Sequence, residues 1–143
     1  GIVHYWTQSD RGSIRTEDGS GNPALVWVSR HDEDNPGTLL FGVSSPRPPP
    51  RHFVATVLSQ GRDARIGVLF VDQNGNAYQH PQAVRRLQAG DAVTMTLPLR
   101  EARGPAGSLD PRTLERVLIR DLTAEQDRSG GSSILVLDDV GLQ

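Results

Sequence analysis

The chain of 143 residues has no cysteine, no lysine, one methionine and few aromatic residues: two Trp, two Tyr and three Phe. Without cysteine there is no disulfide framework, no thiolate metal site and no cysteine nucleophile. Without lysine the fifteen basic residues are all arginine, a skew expected of a GC-rich genome. The formal charge of -2 gives no general attraction for phosphate backbones or anionic bilayers, so neither nucleic acid nor membrane is an expected partner. No apolar run approaches the roughly 20 residues of a membrane-spanning helix. The first residues, GIVHYW, have neither a basic leader nor an initiating Met, so the expectation is a mature chain or a module excised from a secreted or multidomain protein.

What is present is a series of short apolar runs separated by turn residues, the pattern of many strands. The runs are IVHYW (2–6), ALVWVS (24–29), TLLFGV (38–43), HFVATVLS (52–59), ARIGVLFVD (64–72), NAYQH (76–80), AVTMTLPL (92–99), ERVLIRDL (115–122) and SILVLDDV (133–140). Between them lie DGSGN, DNPG, SSPRPPP, QNGN and DRSGGSS, which combine residues tolerant of positive φ with rigid prolines. Asn74-Gly75 predicts a type I′ hairpin joining two antiparallel neighbours.

Two segments compete for helix. Val93, Met95 and Leu97 recur at period two, with Thr94 and Thr96 between them, which makes 92–99 a strand with one wet face. Asp110-Pro111 can cap a short helical turn, but Val117 and Ile119 then alternate with Leu118 and Arg120, so the turn should give way to a strand. The expectation is one all-β domain over 1–143, an antiparallel β-sandwich.

Enzyme signatures are missing. The histidines, at 4, 31, 52 and 80, form no HExxH or paired spacing, and no GxSxG elbow exists. The acidic stretch HDEDN (31–35) reads as a solvated turn, and no strand carries a regular inward-facing set of Asp and Glu of the kind a glycosidase needs.

ALVWVSR after a Gly-rich loop, then HFVATVLSQGRDARIGVLFVDQNGNAYQH, LQAGDAVTMTLPL and the closing SILVLDDVGLQ together resemble the galactose-binding-like jelly rolls used as carbohydrate-binding modules. The resemblance spans most of the chain and implies a structural calcium at the sandwich edge. Asp138 matches the first Asp of the terminal motif, and Glu17 and Asp18 are its expected partners. Ca²⁺ takes six to eight oxygens, so carboxylates and loop carbonyls suit it, and the ion would tie the two ends of the domain together.

Sugar recognition needs flat apolar faces and a few placed polar groups. Phe41, Phe53, Phe70 and Trp27 lie in apolar runs and belong to the core. Trp6, Tyr78 and His80 have polar neighbours; Tyr78 and His80 share a strand face by period two, and Arg65 faces away from Ile66, Val68 and Phe70. These four are the expected carbohydrate-binding residues. The resulting expectation is a non-catalytic module that brings an attached, secreted polysaccharide-degrading enzyme to its polysaccharide or oligosaccharide ligand. The rivals are a structural jelly roll that binds no sugar and a small jelly-roll enzyme.

Overall fold

The computed structural model describes residues 7–9, 12–17, 24–31, 37–43, 49–125 and 131–143. In chain order the strands are β1 (Thr7–Ser9), β2 (Gly12–Glu17), β3 (Ala24–Arg30), β4 (Gly37–Gly42), β5 (His52–Gln60), β6 (Ala64–Asp72), β7 (Ala77–Tyr78), β8 (Arg85–Leu87), β9 (Ala92–Pro98), β10 (Arg103–Gly104), β11 (Gly107–Ser108), β12 (Leu114–Asp121) and β13 (Ser132–Leu142). Helical structure among the described residues is limited to 3₁₀ turns at Leu99–Glu101, Pro111–Thr113 and Leu122–Glu125. The expected strand at 2–6 lies outside the described residues.

Two antiparallel sheets form the sandwich. The first runs β1-β4-β12-β6-β7, with β8 also pairing β6; the second runs β2-β3-β13-β5-β9; β10 and β11 form a small separate hairpin. The expected all-β jelly-roll sandwich is thus the architecture observed. Alternation along each strand fills the space between the sheets. Leu39, Phe41, Ile66, Val68, Phe70, Val117 and Ile119 come from the first sheet, and Trp27, Phe53, Ala55, Val57, Met95, Leu97, Leu135 and Leu137 from the second, all buried in one cluster. Phe53 and Phe70 meet edge to face across the core with centroids 5.8 Å apart.

The hairpin after β6 forms where expected but with a different turn. Gly75 alone takes positive φ, at 81°, and its N–H donates to the Asp72 carbonyl at 3.0 Å. Asp72 Oδ1 accepts from the N–H groups of Asn74 and Asn76, both at 2.9 Å, and this carboxylate bracket holds a three-residue loop in place of a type I′ turn. At Asp110-Pro111 the cap forms as the sequence suggests, with the Asp110 side chain accepting from the Arg112 N–H, and the 3₁₀ turn leads directly into β12.

Two bulges re-aim side chains. In β12 the register shifts between Leu114, opposite Asp72, and Arg116, opposite Val71, so the extra residue Glu115 lets Leu114 face the core, where strict alternation from Val117 would turn it out. In β13 the shift lies between Asp138, opposite Thr56, and Gly141, opposite Val54. Asp139 sits in that bulge at φ 51°, a left-handed conformation that a short polar side chain tolerates, and its N–H donates to Asp138 Oδ1 at 2.9 Å. The paired aspartates that end an otherwise apolar strand therefore build a bulge.

Candidate functional site

Tyr78 and His80 share a face, as period two requires, but that face is covered: they are only 6% and 4% exposed. The Tyr78 hydroxyl donates to Asp72 Oδ2 at 2.9 Å. Burial alone would raise the Asp72 carboxyl, but the Asn76 N–H, the Tyr78 hydroxyl, the Asn76 amide and the Asn74 N–H together hold it below the usual carboxylate range. The same bond, aided by burial and the Asp72 charge, raises the Tyr78 phenol. His80 Nδ1 accepts the Gln82 N–H at 3.0 Å, which leaves the proton on Nε2 to donate to Glu101 at 2.9 Å. Both residues are thus corrected from exposed contacts to anchored parts of the fold. Their polar neighbours signalled internal partners.

Arg65 is placed as expected, half-buried on the outer face of β6. Its backbone N–H donates to the Thr123 hydroxyl at 2.9 Å, which ties β6 to the 3₁₀ turn after β12. Directly opposite, on β8, stands Arg86. The outer face continues across β12, where Arg116 and Arg120 flank Leu118, and Leu118 lies between Leu40 of β4 and Leu69 of β6. Arg120 has glycine on one side, Gly67, and Arg116 has Gly42. The result is a half-buried aliphatic row bordered by guanidinium groups. Arg116 Nε is buried with no hydrogen-bond partner among the described residues. Sequence reasoning passed over Arg116 and Arg120, although alternation with the apolar Val117 and Ile119 already puts both on the outer face. Trp6 lies outside the described residues.

For calcium, Asp138 is half-buried and one of its oxygens accepts the Asp139 N–H. Glu17 pairs with Ala24 and Leu137 with Leu25, so backbone positions 17 and 138 lie at the same end of the second sheet, two strands apart. Asp18 is outside the described residues, and among the described residues no group of three or more His, Asp or Glu could hold a metal ion.

A second buried polar cluster joins the sheets at one end. His31 Nε2 lies 3.0 Å from Asp121 Oδ2 and 2.8 Å from Ser133 Oγ, and Asp121 Oδ1 accepts the Thr123 N–H at 3.1 Å. His31 and Asp121 are fully enclosed, so His31 departs from the solvated turn expected of HDEDN; positions 32–35 lie outside the described residues. Serine and carboxylate share one ring nitrogen here, an arrangement that cannot relay a proton from Ser133 to Asp121. An apolar cavity lined by Phe41, Val43, Phe53, Val117, Val140, Gly141 and Leu142 has no side chain able to address a hydroxyl.

No protein-family model matches the sequence, and neither does any curated protein. Among solved structures, the chain is similar to the family 11 carbohydrate-binding module from Clostridium thermocellum in complex with a β-1,3-1,4-mixed-linked tetrasaccharide, at 13% identity and a TM-score of 0.66, over 99% of this chain and 89% of that one. A variant of the family 29 module CBM29-2 complexed with mannohexaose matches at 9% identity and a TM-score of 0.54, over 96% of this chain and 78% of that one. An agarase matches at 8% identity and a TM-score of 0.69, with 96% of this chain falling on 22% of the enzyme. At these identities the likeness establishes a shared jelly-roll β-sandwich fold alone.

Proposed function

We propose that the chain is a non-catalytic carbohydrate-binding module that holds an attached polysaccharide-degrading enzyme near its substrate in the extracellular space. The observation that carries this reading is the outer face of the first sheet, where a half-buried aliphatic row is bordered by Arg65, Arg86, Arg116 and Arg120. Apolar surface with a few placed polar groups is what a sugar ring and its hydroxyls require. The solved modules of the same fold, one with a tetrasaccharide and one with mannohexaose, support it, and so does the agarase in which a similar unit is a minor part. Affinity electrophoresis of the chain against a panel of soluble polysaccharides tests the reading. Retardation by one class, weakened in Arg120→Gln or Trp6→Ala proteins that still melt normally, supports it. No retardation by any member overturns it.

The rival, a structural jelly roll of the same fold, is favoured by one observation: every aromatic ring among the residues whose side chains are described is buried. A calcium ion on Asp138, with Glu17 and Asp18, belongs to the same proposal and is supported by the shared sheet end of positions 17 and 138. A ligand of the folded state raises its melting temperature, so a melt unchanged by chelator removes the calcium claim.

A further inference from the structure

The second sheet ends on β9, and nothing among the described residues pairs with the far side of that strand. An open edge presents a row of N–H and C=O groups to other chains, and natural sheets protect such edges by shortness, charge, bulges or proline. The other edge strands follow that rule. β1, β7 and β8 have three, two and three residues, and β2 carries Arg15 and Glu17. β9 does not: its seven residues, AVTMTLP, hold no charge, its register against β5 has no bulge, and its proline comes last.

The open groups can be assigned. The Leu99 N–H donates to the Arg51 carbonyl, whereas the N–H and C=O of His52 both meet Gln143, on the β13 side. Backbone direction alternates along an antiparallel pair, so Val93, Met95 and Leu97 address β5, and the N–H and C=O groups of Ala92, Thr94 and Thr96 point out from the edge. These three residues are exposed. Beyond them the row stops, because Pro98 has no N–H and the Gly90 N–H is already bonded to the Ser59 carbonyl at 2.8 Å. The open set is therefore symmetric about Thr94. An antiparallel second copy, with Thr94 opposite the partner's Thr94 and Ala92 opposite the partner's Thr96, uses every open donor. Sliding it by two residues either way brings Pro98 or the engaged Gly90 into the ladder. A two-fold axis sets like against like, and an uncharged strand meets no repulsion there, while threonine opposite threonine is a favourable cross-strand pair.

We propose that β9 is a self-association edge, through which two copies of the chain join their second sheets into one continuous sheet about a two-fold axis at Thr94. A one-strand contact falls at the small end of specific interfaces, below about 1,200 Å², so the dimer exchanges with monomer. The axis stands perpendicular to the sheet, so the outer faces of both first sheets look the same way. On the saccharide-binding reading, the pair would then grip one polymer at two places.

The lack of native cysteine allows a clean cross-linking test in the intact chain. Across the Thr94 pair the Cα atoms would be about 5.5 Å apart, within disulfide range, whereas each Thr96 would stand roughly 13 Å from its own counterpart, out of reach. The expected result is a monomer–dimer equilibrium in sedimentation and a Thr94→Cys protein that oxidises to covalent dimer about tenfold or more faster than Thr96→Cys. Thr94→Arg, which sets like charges face to face, should sediment as monomer and still melt normally. Equal cross-linking of the two cysteine variants, a dimer unchanged in Thr94→Arg, or a monomer at every concentration each overturns the proposal. The cross-linking comparison decides the matter even where Thr94→Arg folds poorly. No readout involves a sugar, so failure here leaves the saccharide reading untouched.

Discussion

The Tyr78 hydroxyl and the Asp72 carboxylate are joined at 2.9 Å across the hairpin that follows β6, and each moves the other's titration. Asp72 is depressed below its ordinary 3.8, so its contribution to stability is complete above that pH and is lost as the pH falls through the folded value. Tyr78 is raised above its ordinary 10.0, so its contribution is complete below that pH and is lost as the pH rises through the folded value. Urea unfolding across pH should therefore show an acid and an alkaline limb, and Tyr78→Phe should lower the plateau, remove the Tyr78 part of the alkaline limb and weaken the acid one. Identical profiles for the two proteins would show that the bond is not made in solution.

His31 and Asp121 tie the end of β3 to the end of β12 in a site closed to water. Removing one partner leaves the other with a lost bond in a buried site, His31 keeping Ser133 and Asp121 keeping the Thr123 N–H, at a cost of about 1–3 kcal/mol. Asp121→Ala and His31→Ala should each destabilise on that scale, and the double variant by less than their sum, measured by a denaturant double-mutant cycle. Strict additivity would refute the coupling.

At Asp139 the backbone itself sets the preference. Its φ of 51° disfavours a branched side chain and suits glycine. Asp139→Val should cost about 1–2 kcal/mol by this conformation alone, whereas Asp139→Gly should be nearly neutral. Equal stability of the two variants by chemical denaturation would count against the bulge geometry.

A methyl group separates two glycines. A Cβ at Gly104 would lie 2.4 Å from the Ala77 carbonyl oxygen, whereas one at Gly141 meets nothing within 4 Å. Gly104→Ala should lose about 1–3 kcal/mol, in the range of overpacking, and Gly141→Ala should leave the melting temperature close to wild type. A Gly104→Ala protein as stable as its parent would mean that β7 and β10 are not in such close contact.

The long strands were legible because each carries its own signal. ARIGVLFVD forms β6 over the expected 64–72, and HFVATVLS extends by one residue to form β5. The short edge strands β1, β2, β8, β10 and β11 were not, since segments such as GSIRTE have no apolar alternation and owe their state to the partner they pair with. NAYQH gave only Ala77 and Tyr78 as strand. The site was less legible than the fold: polar neighbours made Tyr78 and His80 look exposed, but Asp72 and Glu101 supply partners that let both be buried. Glu101 is itself 63% exposed and twenty-one residues from His80, a pairing no local pattern announces.

β13 lies at the centre of the second sheet, paired with β3 on one side and β5 on the other, although it is the last of the described strands in sequence. During vectorial synthesis on a ribosome, β3 and β5 therefore wait with open edges until residues 132–142 have emerged, and edges of that kind invite pairing with other chains. The sheet can close only after translation has passed this point, by contacts distant in sequence, which makes folding slow for the size of the domain. A protein truncated before Ser132 should accordingly aggregate instead of folding partway, and its yield should depend on the chaperones that shield nascent strands.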